Sequence, residues 1–204
     1  MTAPSQQPTT APRTDASPIP LLLARDLGVG VALFSVWAGA EAWATVSGLA
    51  FAKILSAIGG LFVGLAVTGL SHEWGHFAGA RMSGAVAPTT AASNFAGVFA
   101  FDLERSSDAQ FRAMSVGGNV AHWTAAWILF FGLPGATIGQ VALQSASLGF
   151  VAFATFVEAP VLRRAFSGQS SVEALGELVR APRPILERAG RIGFATALAS
   201  LIVL

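Results

Sequence analysis

From Leu27 the chain is apolar almost to Met82, interrupted by Glu41, Lys53 and the cluster His72, Glu73 and His76. At about 1.5 Å rise per residue and about 30 Å of hydrocarbon, a stretch of that length holds two membrane-crossing helices. Division near Lys53 predicts spans at 27–50 and 54–80. Two further apolar runs, 113–133 and 138–159, flank the breaker Gly132-Leu133-Pro134-Gly135 and predict a tight helical hairpin. A last run, Ile192 to Leu204, is 13 residues long. Its rise of about 20 Å leaves a full fifth crossing open. The predicted fold class is therefore an all-α polytopic membrane protein with four to five transmembrane helices.

Composition agrees: 53% of the residues are hydrophobic and 11% charged, against roughly 25% charged in soluble domains. The chain has no cysteine, which excludes a disulfide scaffold, thiolate metal sites and a cysteine nucleophile. Any metal must be held by histidine and carboxylate. No dense basic face is present to bind nucleic acid.

The basic residues orient these spans. With the N-terminus in the cytoplasm, Arg13, Arg25, Arg81, Arg105, Arg112, Arg163, Arg164, Arg180, Arg183, Arg188 and Arg191 fall on the cytoplasmic side and Lys53 alone falls opposite. That is the positive-inside asymmetry, and it predicts a multi-pass protein of the cell membrane. Residues 1–20, rich in Pro, Ser, Thr and Gln, read as a disordered cytoplasmic tail with no cleaved signal peptide. Residues 21–165 form the transmembrane core, and 166–204 a cytoplasmic amphipathic helix followed by the short apolar segment. The amphipathic helix is read from the capping-box spacing Ser170 to Glu173, with Val172, Leu175, Leu178 and Val179 expected on one face. Residues 84–103, Gly- and Phe-bearing and without helical period, read as a β-hairpin or re-entrant loop lying against protein.

His72-Glu73-Trp74-Gly75-His76 lies in the second span. Four residues of helix bring both imidazoles to one face, one turn apart, as two metal ligands require. Glu73 points to the adjacent side, placed to take a proton from metal-activated water without binding the metal. Zinc is the expected ion. Without a metal, the same three residues would line a water-filled cavity, since ionisable groups in an apolar helix need partners or water.

His-Glu-Trp-Gly-His-Phe-Ala-Gly-Ala-Arg-Met-Ser-Gly at 72–84 resembles the H-E-x-G-H-F-x-x-A-R/K-x-x-G signature of the site-2 proteases, intramembrane zinc metalloproteases. The resemblance covers residues 54–165 and implies a transmembrane metalloprotease core. It also implies a membrane-embedded hairpin after the zinc helix, then a helix opening with A-G-P-x-x-N, then one with N-x-x-P-x-x-x-L-D-G whose Asp is the third ligand. Here Gly117-Gly118-Asn119-Val120-Ala121-His122 aligns with the first of these, Asn119 standing at the usual Pro and His122 at the usual Asn. Either could donate to a developing oxyanion; His122 could instead bind the metal or simply pack. No L-D-G occurs. The only acid in the fourth span is Glu158. His76 and Glu158 each lie five residues from a boundary arginine, Arg81 and Arg163, so the two sit at similar depth and Glu158 can be the third ligand. The alternative for Glu158 is an ion pair with Arg163 or Arg164. Glu41 is expected to face a cavity and Asp102 to cap a turn.

The activity implied is hydrolysis of peptide bonds in transmembrane segments, zinc being held by His72, His76 and Glu158, with Glu73 as base and His122 or Asn119 steadying the oxyanion. A catalytically inactive relative that binds metal or transmembrane segments is the rival reading. A metal transporter is disfavoured because the ionisable residues gather in one half of the membrane.

Overall fold

The computed structural model describes residues 16–94 and 97–204, so most of the expected tail lies outside the described residues. Six helices follow one another: α1 (Ile19–Ser47), α2 (Ala50–Met82), α3 (Asp108–Gly132), α4 (Ile138–Phe166), α5 (Ser171–Arg180) and α6 (Pro182–Val203). Among them α1, α2 and α4, of 29, 33 and 29 residues, are long and apolar enough to cross a membrane.

Four helices start earlier than the hydropathy pattern predicts, α2 and α3 by four and five residues and α1 and α6 by more. α1 opens at Ile19 rather than near 27, with proline in its first turn, where a missing N–H costs nothing. Arg25 and Asp26, read as the edge of the span, lie inside it, paired with each other at 2.6 Å. α6 opens at Pro182 rather than near Ile192 and reaches 22 residues, because Pro182 and Pro184 also fall in a first turn and the arginines that follow extend the helix.

α2 is the central element and packs on α1, α3 and α4. Paired glycines bring the backbones together. A Cβ on Gly60 or Gly64 would strike the carbonyl of Gly139 or Leu143 in α4. One on Gly75 or Gly79 would strike Gly117 or Ala113 in α3. Small residues permitting this approach are how apolar helices associate without a hydrophobic drive between them. The consequence is local: His72 and His76 sit on the stretch of α2 pressed between α3 and α4.

The segment after α2 folds back as an antiparallel hairpin path. Thr90 N–H donates to Val98, Ala100 to Pro88 and Asp102 to Val86, at 2.9–3.0 Å, around an isolated bridge between Thr89 and Phe99. No regular strand forms among the described residues, for reasons visible in the partners. Pro88 has no N–H to return, and Val86 N–H donates to Ser106 Oγ at 3.0 Å. Ala87 and Val98 are buried, so the loop lies against protein. The hairpin is also met by Ser17, two residues before α1: Ser17 N–H donates to the Thr90 carbonyl, and Thr89 Oγ1 donates to the Ser17 carbonyl.

Ser170 and Glu173 form the expected capping box of α5. The apolar face differs from expectation. Leu175 and Leu178 pack on Phe111, Val161, Ala165 and Ala174, whereas Val172 and Val179 are exposed. Ser171 N–H is tied to Asp108 Oδ1 at 2.6 Å, and this contact with the buried Ala174 sets the rotation of α5. The 171/174/175/178 stripe therefore turns inward.

Candidate metal centre

His72 and His76, one turn apart on α2, present their Nε2 atoms 3.2 Å from each other. Glu158, from α4, brings Oε1 to 2.8 Å from Nε2 of His76 and 3.2 Å from Nε2 of His72. The three side chains form a group that could hold a metal ion. They are 11–18% exposed, so the group is enclosed but reachable. Arg164 is engaged by Glu177 at 2.6 Å and Glu158 by the histidines, so the sequence alternative of an interfacial ion pair for Glu158 is not the arrangement found.

The donor chemistry tests whether a cation fits. Nδ1 of His76 lies 2.9 Å from the carbonyl oxygen of Met114, which can only accept, so Nδ1 carries a proton. A neutral ring then turns the lone pair of Nε2 toward a carboxylate oxygen. Two acceptors at 2.8 Å repel unless a proton or a metal ion lies between or beside them. The triangle of edges 2.8, 3.2 and 3.2 Å has a centre about 1.8 Å from each corner. Donors this close to one another would hold a zinc ion, whose usual ligand distances are about 2.0–2.1 Å. Size and donor set both fit.

Around this group lie contacts on the far side of each ligand. His72 Nδ1 is 2.9 Å from Nδ1 of His122. Asn119 Nδ2 donates to the second oxygen of Glu158 and, at 3.0 Å, to the Ser115 carbonyl. His122 is fully buried, and its Nε2 has no partner among the described residues. Of the residues expected to contact an oxyanion, Asn119 and His122 are thus found behind the ligands, and His122 meets His72 on the nitrogen remote from Glu158.

Glu73 stands apart. Its carboxylate makes no hydrogen bond or ion pair among the described residues, and Oε2 lies 3.6 Å from where a Cβ on Gly97 would be, beside the returning arm of the hairpin. Glu41 accepts from Ser56 and Thr137 and lines a cavity with Lys53, remote in sequence from the histidines, as expected. Asp102 caps its turn by accepting from the N–H groups of Glu104 and Arg105 at 3.1 and 2.9 Å.

Sequence reasoning missed three contributors. The Met114 carbonyl is backbone and carries no residue-type signal. Phe150, whose ring is 5.7 Å from that of His72, is one apolar residue among many. Asp26 accepts from Trp74 Nε1 at 2.9 Å while Arg25 Nη1 donates to the carbonyls of Ala92 and Asn94 at 3.1 and 2.8 Å, joining α1 to the metal-motif helix and the hairpin tip. The signal for this last clamp was present as two charges at the head of an apolar run.

Comparisons with protein-family models, with characterised proteins and with solved structures find no match to this chain.

Proposed function

We propose that the chain is an intramembrane zinc metalloprotease of the site-2 protease kind, hydrolysing peptide bonds of transmembrane segments in the cell membrane. The observation that carries this reading is the convergence of Glu158 on His72 and His76, with Glu73 in the next position along the helix and without a hydrogen-bond partner among the described residues. Two imidazoles and one carboxylate are a donor set suited to zinc.

Bound there, zinc supplies Lewis acidity, acidifying water and polarising a carbonyl. The chain's own residues do the rest. His72, His76 and Glu158 hold the ion, and Glu73 accepts the proton of the attacking water and passes it to the departing amine nitrogen. The substrate segment must be extended, because a helix shields its carbonyls. The hairpin can receive it as an added strand. Ser17 N–H donates to the Thr90 carbonyl, whereas among the described residues Phe99 and Phe101 have no backbone–backbone hydrogen bond, on the arm that passes Glu73. With eleven of twelve basic residues assigned to one side, the N-terminus is cytoplasmic and the centre lies in the cytoplasmic half of the bilayer.

The test is cleavage of a model single-span substrate by the full chain in proteoliposomes, comparing native protein with Glu73→Gln. Native protein should cleave, and the variant should bind zinc without cleaving. Turnover by Glu73→Gln at the native rate refutes the mechanism. Zinc binding without cleavage by native protein favours the inactive relative, which the absence of L-D-G also supports.

A further inference from the structure

Every member of the metal group is held from behind by one helix that contributes no ligand. The Met114 carbonyl accepts from His76, Asn119 donates to Glu158, and His122 meets His72 at 2.9 Å, all three from α3. We propose that α3 is the positioning helix of the metal centre, with His122 acting through His72: Nδ1 of His122 accepts the Nδ1 proton of His72 and so leaves Nε2 of His72 bare for the metal. This rests on the metal-centre reading above.

The argument turns on the direction of the bond between the two histidines. Neutral imidazole has one donor and one acceptor nitrogen. If His122 donated, the single proton of His72 would sit on Nε2, facing Glu158 Oε1 at 3.2 Å and closing the metal position. If His72 donates, Nε2 is a lone pair directed into the group. The proton of His122 is then on its own Nε2.

That atom is buried and has no partner among the described residues. A histidine that served only to fill space would ordinarily have both nitrogens satisfied or be replaced by an apolar residue without loss. Here one nitrogen is spent on a ligand and the other on nothing, and the ring is wedged among His72, Trp123 and Phe150 at centroid distances of 5.0, 6.4 and 6.2 Å. The packing fixes the ring in the one orientation that addresses His72. Outer partners of this kind orient a ligating histidine and choose its tautomer.

His122 is therefore a positioning residue, and neither it nor Asn119 is placed to donate to an oxyanion.

The experiment measures zinc affinity of the full chain in detergent by competition with a chromophoric chelator, together with the visible absorption of the cobalt-loaded protein and the thermal midpoint without metal. His122→Asn places an amide oxygen near the position of Nδ1 and keeps the acceptor. His122→Leu fills the volume and cannot accept. His122→Leu should lower zinc affinity by about 10–100-fold and alter the cobalt bands, the metal-free midpoint showing that the variant is folded. His122→Asn should restore affinity and spectrum close to native. Native affinity in His122→Leu, or equal weakness in His122→Asn, overturns the positioning role. If His122→Leu does not fold, His122→Ala replaces it: it too has no acceptor for His72, and native affinity there overturns the proposal equally. Failure of native protein to bind zinc or cobalt overturns instead the metal-centre reading on which the proposal rests.

Discussion

Gly118→Ala adds one methyl group on α3 and aims it at the ring of His76. The new Cβ would lie 2.5 Å from Nδ1 of His76 and closer still to Cε1 and Nε2. Ordinary carbon contacts fall at about 3.5–4.0 Å, so the ring must retreat by about 1 Å or more. It is held on both sides, by the Met114 carbonyl at 2.9 Å and by Glu158 at 2.8 Å, and a retreat breaks both. Overpacking of this kind costs about 1–3 kcal/mol, offset by about 1 kcal/mol of helix propensity gained on replacing glycine. The metal-free protein should thus lose between nothing and about 2 kcal/mol. The site should suffer far more, because constellations of this type tolerate displacements of about 0.5 Å. Zinc affinity is expected to fall by at least about 100-fold, as a ligand out of place no longer contributes. Chelator competition and thermal unfolding in detergent read the two effects separately. Gly190→Ala is the control: nothing lies within 4 Å of its Cβ position, so it should keep native affinity and be as stable or slightly more so. Native zinc affinity in Gly118→Ala would refute the claim that contact between Gly118 and His76 sets the geometry of the centre.

Glu158→Ala should cut zinc affinity by two orders of magnitude or more, measured in the same competition, because it removes the only carboxylate from the group; retained affinity would exclude it as third ligand. Single cysteines at Thr10 and Gln169 should react with an impermeant thiol reagent from the cytoplasmic side only, and one at Lys53 from the opposite side only; labelling of Gln169 and Lys53 from the same side would break the assigned topology. The Ser170 backbone N–H and hydroxyl donate to Glu173 at 3.0 and 2.8 Å and hold its carboxyl below the usual glutamate range. Its folded value lies beneath its unfolded one, so the cap is at full strength above the ordinary glutamate range and is lost as pH falls through the depressed value. Hydrogen exchange in the first turn of α5 should therefore accelerate in acid, and in Glu173→Ala at neutral pH as well; exchange in Glu173→Ala indistinguishable from native would show that the cap does not hold this turn.

Helix identity was legible because it is written in local pattern. Apolar runs bounded by glycine and proline mark α2, α3 and α4, and capping spacing marks α5. Helix starts were legible only in part: α1 and α6 begin eight and ten residues before the expected positions, since hydropathy sees the apolar stretch, not the proline-led turn that precedes it. In the centre, His72 and His76 were readable from an i, i+4 spacing that any helix converts into one face.

Glu158 was readable as a candidate, being the lone acid of its span, but its meeting with the histidines is a long-range fact. Residues 82 apart in the chain converge only because Gly60 and Gly64 let α4 approach α2, and nothing local in either helix specifies the other. The contacts of Asn119 with Glu158 and of His122 with His72 were decided by tertiary structure alone. A motif position says that a polar side chain faces the site; the rotation and depth of α3 against Gly75 and Gly79 decide whether it meets substrate or the back of a ligand. The Met114 carbonyl had no sequence signal at all, because every residue carries one. Composition and period thus determine which segments are helical and which side chains can do chemistry, since both depend on neighbours within a few turns. The assembly of those side chains into one centre depends on close packing between distant backbones, which the structure reveals through glycines that admit no methyl group.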